Sequence, residues 1–368
     1  MSGSIYGNIF KISTWGESHG KALGVVIDGC PAGVELSEAD IQTDLDRRKP
    51  GTSKYTTQRS EGDSVEILSG VFEGKTTGTP ISLVIFNKDQ RSKDYSEISK
   101  IFRPGHADFG FESKYGFRDY RGGGRSSGRE TVARVAAGAV ARKVLLYLGI
   151  EIIAYTRAIG KIEIDYNNFN IDERFNNPFV MPDSEAAMKV EKILEDAMSR
   201  KDSVGGIVQC EVSGVKPGIG EPVFDKLDSS LAKAVLSIGA VKGVEFGRGF
   251  DAALLNGSDN NDCLFYDESK KVHKYSNNSG GILGGISDGD KIVFRAAFKP
   301  TPSIATPQKT VSSSGENVEV EIKGRHDPIV AARAVVVVEA MTAITLLDLI
   351  LLNMCSRVEY VKNYYENL

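Results

Sequence analysis

Residues 121–149, RGGGRSSGRETVARVAAGAVARKVLLYLG, join a glycine-rich basic loop to a long apolar stretch. The small and branched apolar residues after Thr131 predict a buried helix, and Gly149 predicts where that helix ends. Ser127 and Glu130 have the S-x-x-E spacing of a capping box, which predicts that the helix begins beside them. The stretch therefore predicts a core helix whose first turn faces a flexible cationic loop.

The same loop is a candidate anion site. Backbone N–H groups and the positive end of the helix dipole would meet Arg125 and Arg129 there, and both favour a phosphate or carboxylate. Arginine suits such a ligand because its planar fork binds two oxygens at once. A second basic segment, RRKPGTSKYTTQR at residues 47–59, has similar glycine, proline and hydroxyl residues. A solvated surface loop is the alternative for each segment, but residues able to close around a ligand favour anion binding.

The composition limits the possible functions. The chain has 368 residues, 41% hydrophobic and 26% charged, as in ordinary soluble globular proteins. Its formal net charge is -4, so the protein as a whole has no electrostatic basis for binding nucleic acid or an anionic membrane. Residues 1–20 lack the apolar core of a signal peptide, and four scattered cysteines predict buried free thiols. These features predict a cytoplasmic protein with local cationic sites.

The most apolar segment is IVAARAVVVVEAMTAITLLDLILLNM, residues 329–354. Arg333, Glu339 and Asp348 interrupt it, which favours the core helix of a globular protein over a membrane span. Just before it, Asp327 and Pro328 have the order of an N-cap followed by a first helical residue. This capping role alone would explain the aspartate.

The order of elements predicts an α+β fold. Residues 22–48 and 205–238 each indicate a strand, a Pro/Gly turn and then a helix, the first helix beginning near Ser37. The two units lie about 180 residues apart, which indicates an internal duplication. Residues 64–87 predict a two-stranded hairpin, and another helix is predicted from about Ser184. We expect one domain, 1–368, with pseudo-repeated halves of about 1–150 and 200–355, and without the βαβ rhythm of a dinucleotide fold.

Several loops carry residues suited to chemistry. His19 in WGESHG and His106 in RPGHAD lie in glycine-flanked turns, where imidazole can exchange protons near neutral pH. A structural or merely exposed histidine is the alternative for each. The glycine-rich residues 277–289 and the proline-rich residues 298–310 could hold a phosphate or a ring, although each signal is weak alone. No zinc-ligand spacing is present. The residues themselves indicate an enzyme that binds a multiply charged anion and leave its reaction open.

Long motifs make this chain similar to the chorismate synthase family. They are GNIFKISTWGESHGKALGVVIDG (7–29), LDRRKPGTSKYTTQR (45–59), FRPGHADFGFESKYGFRDYRGGGRSSGRET (102–131), SNNSGGILGGISDG (276–289), FKPTPSI (298–304) and GRHDPIVAARAVVVVEAM (324–341). They occur in order over nearly the whole chain.

The resemblance implies a lyase reaction and a cofactor. The substrate would be 5-enolpyruvylshikimate 3-phosphate, and the products of its 1,4-anti elimination would be chorismate and phosphate, the last step of the shikimate pathway. The family requires reduced FMN although the reaction has no net redox change. It implies a β-α-β sandwich with an internal repeat, assembled as a homotetramer. The compact length favours the version in which NADPH acts only indirectly, through a separate flavin reductase.

The resemblance also implies site residues. His19 would protonate the leaving phosphate, His106 would protonate the flavin, and Asp327 would assist proton removal. The flavin would contact Arg125, Ser126, Ser127, Gly239, Ala240, Gly284, Lys299, Pro300, Thr301, Pro302, Ser303 and Arg325. The substrate would contact Arg48, Lys54, Arg103, Ser127 and Arg129. Many relatives have Arg at the position of Lys54 and Asn at that of Gly239.

Two other functions compete with this one. An FMN- or phosphate-binding electron-transfer module without lyase activity would use the same loops. An RNA-binding protein could use RGGGR as a basic arm, but the negative net charge and the helix-capping setting of the arm argue against it.

Overall fold

The computed structural model describes residues 3–51, 53–55, 62–87, 98–322 and 327–368. Its helices are α1 (Glu38–Arg48), α2 (Asp108–Tyr115), α3 (Thr131–Tyr147), α4 (Ser184–Ser199), α5 (Leu227–Leu236), α6 (Gly257–Asn260), α7 (Ala331–Asn353) and α8 (Val358–Glu366). Its strands are β1 (Ile5–Tyr6), β2 (Lys11–Gly16), β3 (Ala22–Asp28), β4 (Val65–Ser69), β5 (Val71–Phe72), β6 (Lys75–Thr76), β7 (Ile81–Phe86), β8 (Glu151–Ile159), β9 (Ile162–Glu163), β10 (Gly206–Ser213), β11 (Val241–Phe246), β12 (Leu264–Tyr266), β13 (Val272–Lys274), β14 (Ile282–Leu283), β15 (Ile286–Ser287), β16 (Ile292–Phe298), β17 (Gln308–Val311) and β18 (Asn317–Val320).

Two antiparallel five-stranded sheets form the frame. The first has the order β1-β2-β3-β7-β4 and the second β11-β16-β10-β8-β9. The register pairs Val25 with Leu83 in the first sheet and Cys210 with Phe294 in the second, and all four side chains are buried. The predicted hairpin is confirmed, because β4 pairs with β7, and the short β5–β6 hairpin lies between them.

The two sheets are built by equivalent chain paths. The path β2-β3-α1-β4-β7-α3 in the first half corresponds to β8-β10-α5-β11-β16-α7 in the second, and the strands of each set pair in the same order. The second set begins at β8, and α4 is inserted between β8 and β10. We propose one domain made of two duplicated halves. The division at about 1–150 and 200–355 stays a prediction.

Helices α3 and α7 pack between the two sheets. Helix α3 contacts β2, β3 and β7 of the first sheet, α7 contacts β8 and β10 of the second, and the two helices pack against each other. A Cβ atom at Gly138 would lie 2.3 Å from the Cβ of Ala340, so the absent side chain lets the two backbones approach closely. This contact joins the equivalent helices of the two halves.

Helix α7 is the predicted core helix. It is long and apolar enough to cross a membrane, but 83% of its most apolar window is buried inside the protein. Its buried carboxylates have partners, as buried charges require. Asp348 accepts hydrogen bonds from the backbone N–H groups of Asn8, Ile9 and Phe10, and Glu339 accepts one from Ala154 of β8.

Several local predictions are confirmed and two are corrected. Ser37 caps α1 in a capping box with Asp40, and α4 begins at Ser184. Asp327 is not the N-cap of α7, because the Pro328 carbonyl accepts a hydrogen bond from Val204 and the helix begins only at Ala331. The cysteines are free, but burial was predicted for all four: Cys30 and Cys210 are buried, whereas Cys263 and Cys355 are exposed.

The contact at Gly138 should be sensitive to a single methyl group. We expect Gly138→Ala to lower the free energy of unfolding by about 1–3 kcal/mol, because the methyl would overpack the α3–α7 interface. The matched control is Gly110→Ala on the exposed face of α2, where an added Cβ meets nothing within 4 Å. The control should leave stability unchanged or raise it by about 0.4–1 kcal/mol. Equal chemical-denaturation midpoints for the two variants would contradict the close-packing explanation.

Candidate active site

The basic loop reaches α3 through two short 3₁₀ turns, at Gly124–Ser126 and Gly128–Glu130. Ser127 caps the second turn by accepting a hydrogen bond from the backbone N–H of Arg129 at 3.2 Å. The Glu130 carboxylate binds Arg134 at 3.0 Å instead of the Ser127 backbone, whose N–H already donates to Gly124. The predicted capping box is therefore half right: the serine caps, while the glutamate pairs along the helix.

Two of the predicted substrate arginines meet at a buried aspartate. Arg48, the last residue of α1, donates from Nη1 to Oδ2 of Asp63 at 2.8 Å, and Arg129 donates to Oδ1 of the same carboxylate. Arg48 and Asp63 are 3% and 2% exposed, so the pair is shielded from water. Arg129 also donates from Nε to Asn87 at 3.0 Å. The site thus contains a compact group of buried charges.

Arg48 also connects the first turns of the two core helices. Its Nε donates to the Thr131 hydroxyl of α3 at 3.2 Å, and its Nη2 donates to the carbonyl of Gly128 at 2.9 Å. Its own carbonyl accepts a hydrogen bond from Nε of Arg333 in α7. Burial, together with the nearby charge of Arg333, lowers the pKa of Arg48 to about 10.

Asp327 joins this group through Arg333. Its Oδ2 accepts a hydrogen bond from Nη1 of Arg333 at 2.7 Å, and its side chain is 17% exposed. The predicted catalytic carboxylate and the arginine cluster therefore lie on one continuous chain of contacts. Arg333 was missed by the sequence analysis as a site residue, because it was interpreted only as an interruption of the apolar segment.

A second buried carboxylate organises Arg103 and His106. Asp108 accepts hydrogen bonds from Nε and Nη2 of Arg103, both at 2.7 Å, and its Oδ1 lies 2.9 Å from Nδ1 of His106. Burial alone would raise the pKa of Asp108, but the hydrogen bonds from Arg103 and His106 hold it well below its ordinary value. Nδ1 of His106 thus lies against two groups, the Asp108 carboxylate, which accepts, and Nη2 of Arg103 at 3.1 Å, which donates. These contacts orient the ring and leave Nε2 outside them.

Gly122 brings the two predicted catalytic histidines to the same part of the loop. Its carbonyl accepts a hydrogen bond from Arg103, which also contacts His106. On its other side, a Cβ atom at Gly122 would lie 2.8 Å from Cδ2 and 2.9 Å from Nε2 of His19. His19 is 8% exposed, so this glycine forms part of the wall of its pocket. The neighbouring Ser18 hydroxyl is buried, with no hydrogen-bond partner among the described residues.

Part of the predicted flavin site is assembled around the start of the loop. Arg125 donates to the carbonyl of Gly16 and to the hydroxyl of Thr14, so it fastens the loop to β2. The Ser126 carbonyl lies 4.0 Å from the position that a Cβ at Gly239 would occupy. Gly239 therefore leaves open space next to the Ser126 backbone.

The proline-rich loop packs beside these residues. The Lys299 backbone N–H donates to the carbonyl of Ala240 at 2.9 Å, and its Nζ donates to the carbonyl of Gly105 at 2.5 Å. Burial lowers the pKa of Lys299, with Lys242 as a further cause. Ser303 is buried, and Pro302 packs close to Gly105. The loop thus contacts the turn that carries His106.

The loop also contains an available hydroxyl. The carbonyl of Thr301 accepts a hydrogen bond from Ser203, whereas its buried side-chain oxygen has no partner within the described parts of the chain. Pro300 fixes the loop between Lys299 and Thr301. A hydroxyl, a lysine and nearby backbone groups are the kinds of donor that a phosphorylated cofactor requires.

Two predicted residues lie away from this group, and the position of a third is not described. Lys54 is on the surface, where its ammonium binds Glu191 and Glu195 of α4 at 3.1 and 3.0 Å. Gly284 forms the turn of the β14–β15 hairpin, and a Cβ atom there would meet no heavy atom within 4 Å. Arg325 lies outside the described residues. The roles predicted for these three residues stay predictions.

The two aspartates that organise the arginines, Asp63 and Asp108, were not among the predicted site residues. Asp63 follows the basic segment closely, and Asp108 lies two residues after His106. Their closeness in sequence to predicted site residues is the signal that could have identified them. The arrangement provides buried arginines, two histidines and two buried hydroxyl groups, of Ser18 and Thr301, that have no partner among the described residues. It can bind a compact polyanion, exclude water from it and supply protons.

Comparison with known proteins places the chain in a family. The family model described as chorismate synthase matches residues 10–351. The chain is 65% identical to chorismate synthase of Lachnospira eligens over 365 residues, 99% of this chain and 100% of that protein. It is 62% identical to chorismate synthase of Lachnoclostridium phytofermentans over 366 residues, which cover 100% of both chains. A crystal structure of chorismate synthase has a TM-score of 0.76 at 32% identity, covering 98% of each chain. The chain belongs to the chorismate synthase family.

Proposed function

We propose that this protein converts 5-enolpyruvylshikimate 3-phosphate into chorismate and inorganic phosphate by a 1,4-anti elimination that requires reduced FMN. The observation that carries the proposal is the placement of His19 and His106 about one glycine, Gly122, beside buried arginines. Proton donors next to an anion site are what the departure of a phosphate requires. Family membership supports the same reaction.

The arginines account for substrate binding. The substrate carries one phosphate and two carboxylates, so a single cation would not offset the cost of removing it from water. Each charge-assisted hydrogen bond contributes on the order of 1.5–3 kcal/mol, and several are therefore needed. Arg48, Arg103 and Arg129 are the buried cations we assign to this role, and Arg333 extends the group toward Asp327. Lys54 remains a proposed substrate contact from the other end of the 47–59 segment.

The residues fit a flavin phosphate and ring. Thr301 has a buried hydroxyl with no partner in the described segments, Gly239 leaves open space beside Ser126, and Lys299 adds a cation. We assign Ala240, Pro300, Pro302, Ser303, Gly284 and Arg325 to the same cofactor together with Arg125 and Ser127. When bound there, reduced FMN would supply transient electron donation that assists cleavage of the carbon–oxygen bond, with no net redox change.

The histidines and Asp327 manage the protons. His19, enclosed beside Gly122, donates a proton to the departing phosphate. His106, oriented through Nδ1 by Asp108 and Arg103, exchanges a proton at Nε2. Asp327, oriented by Arg333, assists removal of the ring hydrogen. Each role requires its group to be fixed in direction, and each has a charged or backbone neighbour that does this.

We also propose the assembly, the compartment and the source of the reduced cofactor. We propose a cytoplasmic homotetramer that receives reduced FMN from a separate flavin reductase, so that NADPH acts only indirectly. The family resemblance supports the assembly and the cofactor, and the compartment is proposed with them.

An anaerobic assay tests the reaction and the source of electrons. The purified protein is mixed with 5-enolpyruvylshikimate 3-phosphate and chemically reduced FMN, and chorismate absorbance is followed. A parallel sample contains oxidised FMN and NADPH instead. We expect turnover in the first sample alone. Turnover in both would replace the separate reductase with an intrinsic one, and silence in both with FMN bound would favour an electron-transfer module.

Removal of either histidine should lower turnover without unfolding the protein. We expect His19→Ala and His106→Ala each to reduce kcat by roughly 10²–10⁴-fold, the usual effect of losing an acid–base group. Thermal unfolding of each variant checks that the fold is intact. Near-normal kcat in both variants would remove the proposed proton roles.

The wall formed by Gly122 gives a second test. In Gly122→Ala the new methyl would collide with the His19 ring, so we expect kcat to fall by roughly 10²–10⁴-fold, as for loss of the histidine. Gly124→Ala is the control in the same loop, because its φ is also positive and an added Cβ meets nothing within 4 Å. Its φ of 50° lies in the left-handed region that alanine can adopt, whereas the 104° of Gly122 lies outside it. If both variants lose the same activity, backbone strain and not the histidine contact is the cause.

A further inference from the structure

The carboxylate of Asp63 has no part in the proton transfers proposed above, yet it lies among the arginines proposed to bind the substrate. Its side chain is 0% exposed, and it binds Arg48 through one oxygen and Arg129 through the other. The two arginines come from different segments, the end of α1 and the turn before α3. One carboxylate therefore sets the relative positions of two cations that are far apart in the chain.

Other groups besides Asp63 also hold the two arginines in place. Arg48 also donates to Gly128 and Thr131, and Arg129 donates to Asn87 at the end of β7. With these contacts each guanidinium is held in more than one direction, which lowers the entropy lost when an anion binds. Asp63 is the shared contact of the two guanidinium groups.

The segment that carries Asp63 is itself fastened to α1. The Gln42 side chain donates to the carbonyl of Gly62 at 3.4 Å and accepts a hydrogen bond from the N–H of Val65 at 3.2 Å. Asp63 has a φ of 45°, in the left-handed region that aspartate and asparagine tolerate better than most residues. The backbone is thus fixed on both sides of Asp63, and this fixes the position of its carboxylate.

We propose that Asp63 is a positioning residue for substrate binding, which fixes Arg48 and Arg129 in the arrangement that receives the anionic groups of the substrate. This inference rests on the proposed function. The opposite role, a carboxylate that occupies the arginines and competes with the substrate, predicts the reverse change in KM. The fastening by Gln42 and the complete burial of the carboxylate favour positioning.

The test compares Asp63→Asn with Asp44→Asn in the full-length protein. Asparagine keeps the size and the backbone preference of aspartate but loses the charge. Asp44 is the matched control, since it is also buried and binds two arginines, Arg142 at 2.6 Å and Arg47 at 3.3 Å, within the helix layer. Asp63→Glu restores the charge and should recover part of the affinity. KM and kcat are measured with reduced FMN, and thermal unfolding is followed with and without excess inorganic phosphate.

We expect Asp63→Asn to raise KM by about 10- to 100-fold, the effect of weakening one or two charge-assisted contacts, with a smaller change in kcat. The stabilising shift caused by phosphate should shrink in this variant and persist in Asp44→Asn. An unchanged KM and phosphate shift, beside an active wild-type protein, would overturn the inference alone. A lowered KM would overturn it in favour of competition. An inactive wild-type protein would overturn the proposed function, while the phosphate shift would still test Asp63.

If Asp63→Asn does not fold, Asp63→Glu carries the test. A moved carboxylate should raise KM and weaken the phosphate shift, and wild-type values for both would overturn the inference.

Discussion

The close packing of α3 against α7 is the constraint on which the site depends. Gly138 and Ala340 bring the two helices together, and the two equivalent chain paths supply one helix each. Their first turns both reach Arg48, which donates to Thr131 of α3 and accepts a hydrogen bond from Arg333 of α7. The arginine cluster therefore forms at the starts of these two core helices. A polyanion bound there would face the favourable ends of both.

The site also requires that its buried arginines have partners for their charges. Burying an arginine is costly unless a carboxylate or carbonyl accepts its hydrogen bonds. Asp63, Asp108 and Asp327 fulfil this need for the arginines of the site, so the cationic groups are held in place before a ligand arrives. The lowered pKa of Arg48, about 10, shows the remaining cost of burial among other cations. An additional anion beside Arg48 would offset that cost.

The sequence predicts local features well and long-range partners poorly. Helix α1 with its Ser37 cap, and the core position of α7, follow from patterns that lie within one segment. The start of α7 was wrong because Val204, more than a hundred residues away, binds the Pro328 carbonyl. Arg48, Arg103 and Arg129 were predicted from their loops or from the family resemblance. Asp63 and Arg333 were not, because their roles depend on segments that meet only in the folded chain. Likewise, the sequence around Lys54 and Gly284 does not indicate which surface of the fold each residue faces.

Gly122 illustrates how a residue without a side chain can control chemistry. Its backbone has two neighbours, the guanidinium of Arg103 at its carbonyl and the ring of His19 beside its Cα. Arg103 is in turn held by Asp108, which also binds His106. The positions of the two histidines are thus coupled through one peptide unit and one carboxylate. A small movement of the loop would therefore shift both rings, so a rigid loop would be a condition for any reaction that uses both histidines.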